Sequence, residues 1–249
     1  MRTIEPRRRS ANLSMRLFRN LRYNTNLKPP SPVCRSSSNM SILTKQEILD
    51  RVKSGNIAFY PGLDKFQLQM HAVDLRLGFT FLIPKAWKMT PKGRQALSID
   101  PLKDHGPEYF DVIELEQGQC FELLPQEYVL VSTFETIKVP DDLMAVLYPR
   151  SSVNRKGLSV DLTGIIDSGY EGPLTLPIRN NTQSQVIQLH PGERFCQLVF
   201  EELAHKIEPK KSRWHQKDVV EKGKKEKGVE MKLVFSGDLK KLKSNFSAL

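Results

Sequence analysis

Nothing in this chain approaches eighteen consecutive apolar residues, so a membrane-spanning helix is not expected. Cysteine is scarce: Cys34, Cys120 and Cys196 are odd in number and never form a Cys-x-x-Cys pair. That argues against a disulfide framework and suits a reducing compartment. None of the five histidines begins a His-x-Glu, so the zinc-deaminase signature is missing. A P-loop, a Gly-x-Gly-x-x-Gly after a strand and a Gly-x-Ser-x-Gly elbow are missing too. A metal held by protein cysteine or histidine is therefore not expected. The N-terminus lacks the apolar core of a signal peptide.

Acidic residues are nearly absent from the first 39 positions, where nine Lys/Arg face Glu5 alone. Residues 206–249 hold thirteen Lys/Arg against six acids, which leaves residues 40–205 at −5 of the overall +10. The basicity belongs to the two ends and not to the middle. Solvated lysine-rich ends account for it without a nucleic-acid partner.

Three regions follow. Residues 1–39, rich in Arg, Ser and Asn, read as a disordered extension, either a mitochondrial transit peptide or an over-extended start upstream of Met40. The expected location is cytoplasmic, or mitochondrial in the transit-peptide case. Residues 40–205 read as one β-rich domain opened by a short helix. Thr44 and Glu47 form its capping box, Leu43 can staple onto Ile48, and Gly55 stops it. From Ala58 onward, short alternating runs separated by Pro, Gly and Asp predict a β-sandwich or barrel. Residues 85–111 read as a polar surface insertion. Residues 206–249 form a Lys-rich tail and possible lid, with one weak strand expected near 231–235.

The densest chemistry lies in 149–172, PRSSVNRKGLSVDLTGIIDSGYEG. Arg150, Ser151 and Ser152 follow the strand LMAVLYP and combine a planar fork of donors with two hydroxyls, a set matched to phosphate oxygens. Arg155 adds a second cation. Asp167 follows two isoleucines, which suggests a buried strand end, and a carboxylate there can act as general base on a water. Tyr170 can stack on a sugar or sit as a half-buried turn aromatic. Asp74, inside the apolar strand AVDLRLG, reads as an internal salt bridge with neighbouring Arg76. Gln197, in PGERFCQ, can meet a base edge or a backbone amide.

Taken in order, AVDLRLG, PRSS with Arg155, GIIDSGYEG and PGERxxQLVF resemble the dCTP deaminase/dUTPase superfamily over roughly residues 40–205. SGNI and EYVLVSTFETIKVPDDLMAVL are similar to its dCTP deaminase-like branch. The resemblance implies a mainly β fold, a distorted β-barrel of jelly-roll type, and a homotrimer with active sites between subunits. It implies Mg²⁺ carried on the phosphates of a pyrimidine deoxynucleoside triphosphate. Arg150, Ser151 and Ser152 would bind phosphates, and Asp167 would orient water. Tyr170 would pack on deoxyribose, and Gln197 would complete the network. The catalytic set expected is Asp167 with Arg155.

A deaminase of this family carries a glutamate in a Leu-Glu-Phe/Ile strand after the turn. Here the matching segment is Leu176-Pro177-Ile178. A proline side chain cannot shuttle protons, and Glu171 stands six residues earlier. The expected reaction is therefore hydrolysis of dUTP to dUMP and pyrophosphate. The alternatives are deamination of dCTP and a family member that binds nucleotide without turnover. The tail segment SRWHQKD, with Trp214, is a candidate lid.

Overall fold

The structure, a computed structural model, describes residues 41–100, 107–161, 164–208 and 229–245. Residues 1–39 and Trp214 lie outside the described residues.

The chain opens with α1 (Lys45–Lys53), β1 (Ala58–Tyr60) and β2 (Val73–Pro84). A hairpin follows, β3 (Trp87–Thr90) and β4 (Gly93–Ala96), then β5 (Phe110–Glu114), β6 (Phe121–Leu123) and β7 (Tyr128–Lys138). Next come β8 (Leu143–Pro149), the single-turn α2 (Ser151–Asn154), β9 (Leu158–Val160) and β10 (Ile165–Ile166). The domain closes with β11 (Glu171–Asn180), β12 (Ile187–Leu189) and β13 (Arg194–Glu202).

Helix α1 forms as its sequence dictates. The Glu47 carboxylate accepts the Thr44 N–H at 2.8 Å, Leu43 and Ile48 are both buried, and Gly55 takes φ +73° just past the end.

The main sheet has nine strands in the order β10-β8-β13-β2-β7-β11-β9, with β1 joined to β7 and β5 to β2. The pairs are antiparallel, and the sheet curls round one core. That core is filled by Val73, Leu75, Leu77, Phe81, Val131, Leu176, Ile178, Leu198 and Phe200 among others. Strand β11 shows why alternation was legible: positions 172, 174, 176, 178 and 180 are buried and those between them are not. The mainly β barrel-like architecture stands as expected.

A break in the β2–β7 ladder shapes the barrel. Register slips between Leu77 and Phe81, and Gly78 lies within the slip. A Cβ on Gly78 would meet the Ser132 carbonyl oxygen at 2.6 Å and its Oγ at 2.7 Å. The carbonyl belongs to the neighbouring strand and cannot swing aside. Gly78→Ala is expected to cost about 1–3 kcal/mol, read as a lower Tm with the dichroism spectrum retained.

Two sequence expectations need comment. The 85–111 insertion carries the exposed hairpin β3–β4, as expected of a surface element. The segment near 231–235 is not a strand. Val229–Phe235 is helix α3, followed by α4 (Leu239–Asn245). Glu, Met, Lys and Leu are strong helix formers, and their propensity outweighs that of the short apolar run.

Candidate functional site

Strand β8 delivers the phosphate-seeking cluster. Pro149 closes the strand, Arg150 remains extended at φ −72° and ψ 137°, and Ser151–Asn154 coil into one helical turn. Val153 is 2% exposed and anchors that turn in the core, which leaves Ser151 and Arg155 outside. Arg155 lies close to Ser151, its Nη2 3.4 Å from the Oγ.

Arg150 is not a loose cation. Its Nε lies 3.4 Å from Asp74 Oδ2, and its Nη1 donates to the Arg194 carbonyl at 3.0 Å. Asp74 is wholly buried and gathers further donors: Arg194 Nη1 at 3.1 Å, Gln197 Nε2 at 3.0 Å and Gln69 Nε2 at 3.2 Å. The internal salt bridge expected of Asp74 is present, with Arg150 and Arg194 as its partners and not the nearby Arg76. Arg76 pairs with Asp64 at 2.6 Å and donates to the Gly192 carbonyl.

Strand register explains the convergence. Asp74 on β2 stands opposite Gln197 on β13, which stands opposite Tyr148 on β8. In a regular strand, residues 194 and 197 point to opposite faces. A register shift between Arg194 and Cys196 inserts the extra residue that turns both toward Asp74. Among the described residues, two guanidinium groups, those of Arg150 and Arg194, share the carboxylate of Asp74 at this end of β8.

Behind Asp74 lies a second polar layer. Glu135 on β7 is 1% exposed and Gln67 is 2% exposed. Gln67 Nε2 donates to Glu135 Oε1 at 2.6 Å and to the Asp74 carbonyl at 2.9 Å. The Arg76 N–H donates to Glu135 Oε2 at 2.9 Å. Burial pushes the Glu135 carboxyl above its ordinary range, against the pull of those hydrogen bonds. Cys196 nearby is fully buried, and burial pushes its thiol upward, with the Glu135 and Asp74 charges adding to the effect. It is an inert core residue.

Asp167 sits elsewhere. The turn Asp167–Tyr170 closes through a 3.1 Å bond from the Tyr170 N–H to the Asp167 carbonyl. Ser168 is buried and donates to the Leu143 carbonyl, which pins the turn. Asp167 itself is exposed and not at a buried strand end, because Ile166 alone of the isoleucine pair packs inward while Ile165 is 63% exposed. Tyr170 is half-buried, its hydroxyl donates to the Pro173 carbonyl at 2.6 Å, and burial pushes its pKa up to about 12.

The two halves do not meet within one chain. Ile166, beside Asp167, pairs with Ala145 near the start of β8, whereas Arg150 lies just past its end. Arg150 lies five steps along the chain from Ala145, about 17 Å at the usual rise. Arg150, Ser151, Ser152, Arg155 and Gln197 gather at one end, and Asp167 and Tyr170 at the other.

Pro177 lies on the outward row of β11 with Thr175 and Arg179. Its carbonyl accepts the Asp161 N–H at 2.9 Å, so its missing N–H also faces the β9 side, and the β7 ladder is undisturbed. A proline is thus tolerated there at little structural cost.

Sequence reasoning placed Asp74 and Arg76 in the same strand but missed their true partners, and it missed Gln67, Gln69, Glu135 and Arg194 as members of the network. The only local signal for the network was a carboxylate in an apolar strand.

Comparison with known proteins places the chain in a family. A family model described as dCTP deaminase-like matches residues 42–203. A "dCTP deaminase, dUMP-forming" of Methanobrevibacter smithii is 38% identical over 164 residues, covering 65% of this chain and 80% of the relative. One of the same name from Dictyoglomus thermophilum is 40% identical over 169 residues, covering 67% of this chain and 83% of the relative. In fold, the chain is similar to the 2'-deoxycytidine 5'-triphosphate deaminase of Agrobacterium tumefaciens, with a TM-score of 0.51 at 24% identity. That match covers 66% of this chain and about half, 49%, of the solved one.

Proposed function

This chain belongs to the dCTP deaminase-like family, and from that membership we propose that it converts a pyrimidine deoxynucleoside triphosphate to dUMP with release of pyrophosphate. The observation that carries this reading is the pair of arginines gathered on one carboxylate at the end of β8. Arg150 and Arg194 share the single carboxylate of Asp74, with the Ser151 and Ser152 hydroxyls alongside. A magnesium-bound triphosphate offers its phosphate oxygens to these cations, and Arg155 adds a further donor.

Hydrolysis then needs an activated water. Asp167, exposed in its pinned turn, takes the proton as the water oxygen bonds to the α-phosphorus. The bond from that phosphorus to the bridging oxygen breaks in line, and pyrophosphate leaves with the electron pair. Tyr170 borders the same turn and offers its ring to the sugar. The separation of about 17 Å along β8 supports a shared site, in which Asp167 of one subunit faces Arg150 of another within a homotrimer.

The relatives' name favours dCTP as the starting nucleotide, which adds attack of water at C4 of cytosine and loss of ammonia. A specific observation favours a second reading, dUTP alone: at position 177, where a deaminase of this family carries its glutamate, the side chain of Pro177 cannot carry a proton. One panel separates them. With Mg²⁺, ammonia and pyrophosphate from dCTP support the first; pyrophosphate from dUTP without ammonia from dCTP supports the second. Absence of pyrophosphate from both nucleotides would overturn the hydrolytic reading.

A further inference from the structure

Resting on the reading of Arg150 and Arg194 as triphosphate ligands, we infer that Glu135, acting through Gln67, is a positioning residue that fixes the aim of both arginines from behind the site. Neither Glu135 nor Gln67 is accessible to a substrate, since both are all but fully buried. Both nevertheless connect to the stretch of β2 that carries Asp74. Gln67 makes three side-chain hydrogen bonds: its Oε1 accepts the Asp64 N–H at 3.1 Å, and its Nε2 donates to Glu135 and to the Asp74 carbonyl. The Gln67 carbonyl accepts the Asp74 N–H at 2.7 Å, so Asp74 is held at both backbone groups by one residue.

Glu135 supplies what the sheet cannot. On the Asp74 side of the Leu77↔Thr133 pair, β2 and β7 have no register partners among the described residues, and the Arg76 N–H would face an open ladder. The Glu135 carboxylate takes that N–H with one oxygen and the Gln67 amide with the other. The backbone of residues 74–76 is thereby clamped, and the Asp74 side chain projects from the clamp to Arg150, Arg194 and Gln197. Glu135 needs both oxygens as acceptors. Glutamine there would set an NH₂ against either the Gln67 amide or the Arg76 N–H, donor against donor in a dry interior.

The same loop reaches the arginines directly. The Phe66 carbonyl accepts Arg194 Nη1 at 2.6 Å, and Gln69 donates to the Phe66 carbonyl as well as to Asp74. Displacing Gln67 therefore shifts a support of Arg194 together with the carboxylate that holds Arg150.

The test compares Glu135→Gln with wild type by calorimetry of the full chain, using inorganic pyrophosphate with Mg²⁺ and, separately, dUMP. The expected result is pyrophosphate affinity lowered roughly tenfold with dUMP affinity unchanged. Equal losses for both ligands, or no loss for either, would overturn the positioning role. Should Glu135→Gln fail to fold, Gln67→Met keeps the side chain's shape, deletes the amide bridge and is read in the same two titrations. If wild type itself does not bind pyrophosphate, the triphosphate reading of the arginines falls, and the inference with it.

Discussion

Replacing Asp167 by asparagine is expected to slow pyrophosphate release by roughly 10² to 10⁴ while nucleotide affinity and Tm stay near wild type. The expectation follows from the turn's construction. Its hydrogen bonds are made by the Asp167 and Tyr170 backbone and by the Ser168 hydroxyl, none of which the substitution alters. Asparagine also suits turns of this kind, so the backbone keeps its path. What is lost is a carboxylate able to accept a proton. Product formation in single-turnover experiments is the direct measurement, and an Asp167→Asn enzyme with a wild-type rate would remove the proposed base. A mixing experiment adds the geometry. Asp167→Asn and Arg150→Ala proteins, each inactive alone, should recover part of the activity once their subunits exchange, because one intact site can then form across copies.

The second large effect is expected at Asp74. Asp74→Ala should destabilise the fold by about 3 kcal/mol, since it deprives two guanidinium groups of the buried carboxylate they share. For a chain of this size that corresponds to a fall in Tm of roughly 6–12 °C. Triphosphate affinity should fall with it, because Arg150 then loses one of its two supports. Thermal denaturation with and without pyrophosphate reads both effects. A Tm within a degree of wild type would show that Arg150 and Arg194 are held by other means.

The outcome at Asp74 shows where sequence reasoning reaches and where it stops. Alternation along β11, the capping box of α1 and the cluster at the end of β8 are local patterns, and a local pattern can be read from neighbours in the chain. The partners of Asp74 are not local. Arg194 and Gln197 lie about a hundred and twenty positions away, 120 and 123 residues, and reach it through an irregularity in β13 that no residue type announces. Arg76, two residues along the same strand, is the cation nearest in sequence, but Asp64 claims its guanidinium. The exposure of Asp167 was misjudged for a related reason: two isoleucines suggested burial on both sides, yet β10 is an edge strand with one face open. The helix at Val229–Phe235 illustrates the opposite failure, in which a short apolar run was weighed above the helix-forming residues within it.

The distance along β8 also bears on how the protein behaves in the test tube and the cell. If each working site draws one half from each of two chains, specific activity is not a fixed property of the polypeptide. Progressive dilution should lower turnover per chain once assemblies begin to come apart, with lag phases on re-concentration. A defective copy expressed beside a sound one would disable sites that it only half owns.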